Sequence, residues 1–173
     1  QKMFPKVTQI EMEKCTILSG QRKGELKKER DFSCEFAFRD QERLIKAVSR
    51  PGVFNHRQLD LGARHLIDAM QIKHKDNVLD LGCGSGCVTF AAAIRADRGH
   101  VTAIDSNARA IQCTQIGAEL NELENVTVLL DDEVSKPETS TFDVVLANPP
   151  YYSNYKIAEL FIEGAHRCLK PGG

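Results

Sequence analysis

Four short, continuous apolar runs, Val78–Leu81, Val101–Ile104, Val126–Leu130 and Val144–Ala147, alternate with stretches of helical spacing at Cys87–Arg95 and Ala108–Leu120. This alternation constrains the fold more than anything else in the chain. A short strand that is apolar on both faces, even with a single polar residue such as Asp80 in it, needs cover on both, which is the situation of a parallel sheet between layers of helix. Right-handed crossovers between such strands make a doubly wound α/β fold. A last helix is predicted over Lys156–Leu169, with Ile157, Leu160, Phe161, Ala165 and Cys168 on one face. A first helix is predicted over Arg57–Met70, with Leu61, Leu66 and Met70 at three-to-four spacing.

Ahead of this region, Phe32, Cys34, Phe36 and Phe38 alternate with smaller or polar residues, as in a half-buried strand, and Leu44–Val48 supplies a return strand. Ser49-Arg50-Pro51-Gly52 then breaks the chain. The predicted division is residues 1–50, a small basic region with a β-hairpin, and residues 51–173, the α/β domain. Residues 1–31 carry no clear periodic signal. The mixed-charge run Lys23–Arg30 reads as loop or as a solvated helix. The chain starts at Gln1 and stops at the turn signal Lys170-Pro171-Gly172-Gly173, so it reads as part of a longer one.

Composition narrows the function classes. No apolar run approaches the roughly 18 residues that suggest a membrane span, and the charges at Lys2, Lys6, Glu11 and Glu13 exclude a signal-peptide pattern. The six cysteines (15, 34, 83, 87, 113 and 168) form no CxxC pair, and the five histidines are scattered, so reduced thiols in a cytoplasmic protein without a metal are expected. Residues 1–50 hold 12 Lys and Arg against 8 Asp and Glu, whereas the remainder holds 11 against 16. A basic front on an acidic body suggests a surface that meets a polyanion, with a plain solvated surface as the alternative.

The residues that carry chemistry lie at strand ends. Gly82-Cys83-Gly84-Ser85-Gly86 follows the first apolar run and opens a helix. Alternating glycines allow a tight turn and close approach of backbone to a ligand. The dinucleotide fingerprint needs its third glycine at position 87, which is Cys87, and no Gly-Lys-Ser/Thr is present, so a phosphate P-loop is excluded. Asp80, just before the loop, suits a ligand with a positive amino group better than a pyrophosphate. Asp105 ends the second strand, 19 residues after Gly86. A carboxylate there can accept both hydroxyls of a ribose, or act as a helix cap ahead of Asn107-Ala108-Arg109. Asn148-Pro149-Pro150-Tyr151 follows the fourth run and makes an acceptor-rich corner beside an aromatic ring, able to hold a planar amine; alone it would also pass for a turn.

Taken together, Asp80 to Gly86, Asp105 and Asn148-Pro149-Pro150-Tyr151 resemble the class I S-adenosylmethionine-dependent methyltransferases that act on exocyclic amines. Pro51-Gly52-Val53-Phe54 and Leu59-Asp60-Leu61-Gly62-Ala63-Arg64-His65-Leu66 are similar to the lead-in segment of the "methyltransferase small" group, which includes ribosomal-RNA guanine-N2 methyltransferases. The resemblance covers residues 51–173 and implies a Rossmann-like, mainly parallel sheet. It implies S-adenosyl-L-methionine as cofactor, with Gly82, Gly84 and Gly86 cradling its methionine half, Asp80 near its amino group and Asp105 on the ribose. Of Asp131 and Asp132, Asp132 fits the family's adenine contact better, and Phe54 either lines the pocket or plugs the space under the loop. The family sheet has seven strands, so the C-terminal strands are expected to be missing from this chain, which would leave the fourth as an edge.

The resemblance further implies that the Asn148 side-chain oxygen and the Pro149 carbonyl accept the two N–H groups of the target amine while Tyr151 stacks on the base. Tyr152 is assigned to packing. The implied partner is RNA, either rRNA or a ribosomal subunit, with no membrane. Glutamine methyltransferases of release factors share the Asn-Pro-Pro-Tyr motif and, with adenine-N6 methyltransferases, remain alternatives. A non-catalytic cofactor- or RNA-binding module is the alternative from another class.

Overall fold

A computed structural model of the chain describes residues 6–13, 15–21, 32–150 and 155–173. They fall in two compact units, Gln1–Asp31 and Phe32–Gly173.

In the first unit, β1 (Val7–Glu11) pairs antiparallel with β2 (Thr16–Gly20), and Ile10 stands opposite Ile17. Every residue of both strands is exposed. No buried face exists there to impose a hydrophobic alternation, which is why the sequence pattern did not reveal the hairpin. The run Lys23–Arg30 lies outside the described residues.

The second unit begins with the predicted hairpin, β3 (Cys34–Asp40) antiparallel to β4 (Arg43–Ser49). It continues with α1 (Leu61–Ala69), β5 (Asn77–Leu81), α2 (Cys87–Arg95), β6 (His100–Asp105), α3 (Ala108–Leu120), β7 (Val126–Leu130), β8 (Val144–Ala147) and α4 (Lys156–Cys168). The helix predicted from Arg57 starts later because Asp60 is its N-cap: its side chain accepts from Ala63 N at 3.1 Å, while Arg57 sits at φ +80°, outside helical space. The strands pair in parallel in the order β7-β6-β5-β8, the Rossmann-like arrangement expected. The chain winds outward from β5 to β7 and returns to the other side of β5 for β8. That reversal opens a crevice at the carboxyl ends of β5 and β8, the usual ligand position in such sheets.

Two apolar layers cover the sheet. Val78, Val101 and Leu146 face α1, α2 and the β3–β4 hairpin through Ile67, Phe90 and Ile45. Leu79, Leu81 and Ile104 face α4, with Leu160, Phe161 and Cys168. Phe90 is the largest fully buried side chain and fills the space left by two glycines: a Cβ at Gly86 or at Gly117 would come within 2.3 Å of its ring.

Two polar devices hold the hairpin in this unit. Asn121, just past α3, accepts from Lys46 N through Oδ1 (2.9 Å) and donates from Nδ2 to Lys46 O (2.6 Å), so its amide pairs with the outer edge of β4 as a neighbouring strand would. Arg95, at the end of α2, donates from Nε and Nη2 to both oxygens of the buried Asp40 (3.1 and 2.8 Å). Its Nη1 and Nη2 also reach the carbonyls of Met70 and Ile67, the open end of α1. No described helix is long and apolar enough to cross a membrane.

Candidate active site

The carboxyl ends of β5, β6 and β8 open into a cavity of about 590 Å³, within the size range of small-molecule sites. One wall is the turn after β5. Gly82, Gly84 and Gly86 have φ of +75°, +57° and +81°, which side chains rarely adopt, so the Gly-x-Gly-x-Gly spacing is what lets the chain turn here. Their surroundings differ. A Cβ at Gly86 would strike Phe90, and one at Gly82 would lie 3.1 Å from the Phe161 ring, but nothing lies within 4 Å of the Cβ position of Gly84. Gly84 is therefore the point where backbone meets open cavity. Gly86, the N-cap residue of α2, shapes the turn from beneath.

Asp105 ties this turn to β6. Its Oδ2 accepts from Gly84 N at 2.9 Å and its Oδ1 from Asn107 N at 2.8 Å. The helix cap foreseen for it falls instead to Asn107, whose Oδ1 accepts from Arg109 N at 3.0 Å; Asp105 organises the backbone on either side while lining the cavity. The remaining lone pairs of its two oxygens can accept a ribose diol.

Asp80 is buried behind the turn at 2% exposure, and Thr89 Oγ1 donates to its Oδ2 at 2.5 Å. Burial pushes its carboxyl up to about 6; the Thr89 bond opposes this, and the nearby Asp105 charge adds to it. A buried carboxylate held in this way favours a cationic partner at neutral pH.

Asp131 and Asp132 both line the cavity, but their side chains are used differently. Asp131 is a turn organiser: its carboxylate accepts from Glu133 N, Lys136 N and Ser135 Oγ. Burial raises its carboxyl, but these bonds outweigh burial and hold it below its ordinary range. Asp132 has no side-chain hydrogen bond among the described residues.

Asn148 and Pro150 line the far side, next to Leu59 and Asp60. Pro149, between them in the chain, is not among the residues that line the cavity. Tyr151 and Tyr152 lie outside the described residues. Phe54 lines the cavity and is 53% exposed, which favours pocket wall over buried plug.

Sequence reasoning missed the apolar wall from α4, Ile157, Leu160 and Phe161, and the role of Asp60. The α4 periodicity marked a buried face but not what it would cover. Asp60 Oδ2 accepts from Asn148 Nδ2 at 2.9 Å across 88 positions of sequence.

The Methyltransferase small domain family matches residues 44–173. This chain belongs to that family. As a methyltransferase small domain, it is 38% identical over 128 residues to "Ribosomal RNA large subunit methyltransferase G" of Magnetococcus marinus, covering 71% of this chain and 34% of that protein. It is 31% identical over 131 residues to "Ribosomal RNA small subunit methyltransferase C" of Pseudoalteromonas translucida, covering 73% of this chain and 38% of the relative. The domain thus spans just over a third of the length of these two relatives. In structure it resembles an N2 methyltransferase of 16S rRNA from T. thermophilus, solved in complex with AdoMet and guanosine, with a TM-score of 0.80 over 99% of this chain and 48% of that one. At 23% identity, that likeness establishes the fold. The cavity fits the cofactor of such a domain: an open glycine backbone at Gly84, a buried carboxylate at Asp80, two further carboxylates at strand ends and an apolar wall between them.

Proposed function

We propose that this chain is the catalytic part of an S-adenosyl-L-methionine-dependent N-methyltransferase that acts on guanine N2 of ribosomal RNA in the cytoplasm. The observation that carries the proposal is the placement of Asn148 in the same cavity as the glycine turn and the carboxylates of Asp80, Asp105 and Asp132, with the Pro149 carbonyl next in the chain. That brings an amine-binding corner to the site of a methyl donor.

The cofactor supplies an electrophilic methyl group on a sulfonium. On this reading Asp80 faces its amino group, Gly82 and Gly84 present backbone to its methionine half, Gly86 shapes that turn, Asp105 accepts from the ribose and Asp132 from the adenine amine. The guanine amine is a poor nucleophile because its lone pair is delocalised into the ring. Asn148 Oδ1 and the Pro149 carbonyl accept its two N–H bonds and so hold the lone pair in the attacking direction. These acceptors strengthen as positive charge develops on the nitrogen, which favours the transition state over the ground state. Orientation of this kind is worth roughly 7–11 kcal/mol in favourable cases. Tyr151 stacks on the base. The target must be unpaired or drawn out of its helix to reach the corner.

We assign residues 51–173 to methyl transfer and residues 1–50, with their basic excess, to RNA contact. Transfer of radiolabelled methyl to rRNA, DNA and release factor, compared side by side, tests the substrate class; label on DNA or release factor but not rRNA would overturn the assignment. Asn148→Ala is expected to lower turnover by about two orders of magnitude or more while cofactor affinity, read by calorimetry, stays within a few-fold. Full activity in that variant would remove Asn148 from the mechanism.

A further inference from the structure

The corner that receives the amine needs an acceptor, yet a carboxamide offers an acceptor at one end and a donor at the other. Rotation by half a turn would present Asn148 Nδ2 to the incoming N–H groups and repel them. Something must select the orientation, and two residues before and in the first turn of α1 do so.

Asp60 Oδ2 is committed as an acceptor, since it caps α1 by receiving Ala63 N at 3.1 Å. The same oxygen receives Asn148 Nδ2 at 2.9 Å. Only the NH2 end of the amide satisfies that oxygen; the reversed amide would set two acceptors against each other. The other end lies in a notch left by Gly62: a Cβ there would come within 2.5 Å of Asn148 Oδ1 and 2.9 Å of Asp60 Oδ2. Gly62 has an ordinary helical backbone, so glycine is required here for space rather than for its φ.

We infer that Asp60 is a positioning residue for methyl transfer: it fixes the Asn148 carboxamide with Nδ2 tied to the N-terminus of α1 and Oδ1 left as the acceptor for the substrate amine, and Gly62 keeps the space in which that orientation fits. The inference rests on the amine-accepting role proposed for Asn148. It also makes the α1 N-terminus part of the amine-binding corner, although α1 precedes the glycine turn in sequence.

The test uses three variants of the full chain. Asp60→Ser keeps a good N-cap oxygen but is too short to hold Asn148. Asp60→Asn can place an oxygen where Oδ2 stands and accept both bonds. Gly62→Ala fills the notch. Asp60→Ser and Gly62→Ala are expected to lower kcat on rRNA by about 10- to 100-fold, with AdoMet affinity and melting temperature near those of the parent, and Asp60→Asn to recover most of the loss. Independently of activity, the Asn148 side-chain amide protons, followed by nitrogen-15 NMR, are expected to exchange slowly in the parent and in Asp60→Asn but fast in Asp60→Ser. Unchanged exchange in Asp60→Ser overturns the proposal. So does a fall in kcat matched by loss of AdoMet binding or melting temperature, which would mark a merely structural cap. If the parent transfers no methyl to rRNA, the functional reading fails, and the exchange measurement still decides whether Asp60 holds the amide.

Discussion

Asp80 shows how a single residue can trade stability for binding. An ordinary aspartate titrates near 3.8, whereas burial raises this one to about 6. Between those two values the folded chain holds a proton that the unfolded chain has lost, so the Asp80 contribution to stability falls as pH rises from about 4 to about 6. Above that range the folded state carries a buried charge at a cost on the order of 3 kcal/mol. On the proposed reading, a ligand cation beside Asp80 would offset this cost and link cofactor affinity to pH. Asp80→Asn preserves an oxygen for Thr89 and removes the charge. It is expected to raise the melting temperature of the cofactor-free protein at pH 7, to flatten its pH dependence and to weaken AdoMet binding. In the parent, AdoMet affinity should decline as pH drops below about 6. Calorimetric titration and melting curves over that range check both statements; an unchanged melting profile in the variant would mean that Asp80 is not the titrating group. The sequence marked Asp80 as a carboxylate facing a cation because of its place before the glycine turn. Its burial was not readable there, because burial depends on α2 folding back so that Thr89 meets it.

At the scale of elements, the β3–β4 hairpin and two helices, α1 and α2, are joined through one ion pair. Arg95 binds Asp40 of β3 with two nitrogens and also closes the carbonyl end of α1, and both side chains are mostly buried at 14% and 6% exposure. Removing the cation leaves a carboxylate without its partner in a low-dielectric setting. Arg95→Met is therefore expected to destabilise the chain by about 3–5 kcal/mol, with a smaller loss for the double variant Arg95→Met/Asp40→Leu. Urea denaturation of both decides this, and equal losses would show that the pair itself, not the orphaned charge, dominates. The strands and helices of the α/β region were legible because each has a local period: β5 to β8 match the four apolar runs, and α2 and α3 match their predicted spans residue for residue. The α1 start was misplaced because apolar spacing runs back to Arg57, whereas the helix obeys a cap at Asp60. The fully exposed β1 and β2 had no burial pattern to read.

At the scale of the whole molecule, the basic excess lies at the front of the chain and the acidic excess in the rest. Phe32–Gly173 is a compact unit with its own core. A chain shortened to those residues is expected to bind AdoMet as the parent does, to bind rRNA more weakly and to show a shallower fall of affinity with salt, since fewer counterions are released. Filter binding at several ionic strengths measures this, and identical salt slopes would take RNA contact away from residues 1–31.

The sequence by itself determined the parallel α/β architecture, the glycine turn, the carboxylates at the strand ends and the Asn-Pro-Pro corner, because each is written in neighbouring residues whose periodicity or backbone demands are local. Tertiary structure alone decided that Asp60 holds Asn148, that Phe161 of α4 covers Gly82, and that Asp131 accepts the bonds of its own turn. The first two depend on strand order. The chain reverses direction around β5, and only that reversal brings the corner after β8 against the glycine turn after β5 and the cap of α1. No local pattern encodes which distant ends will meet. The Asp131 turn is close in sequence, but its hydrogen bonds depend on a loop conformation that composition does not specify.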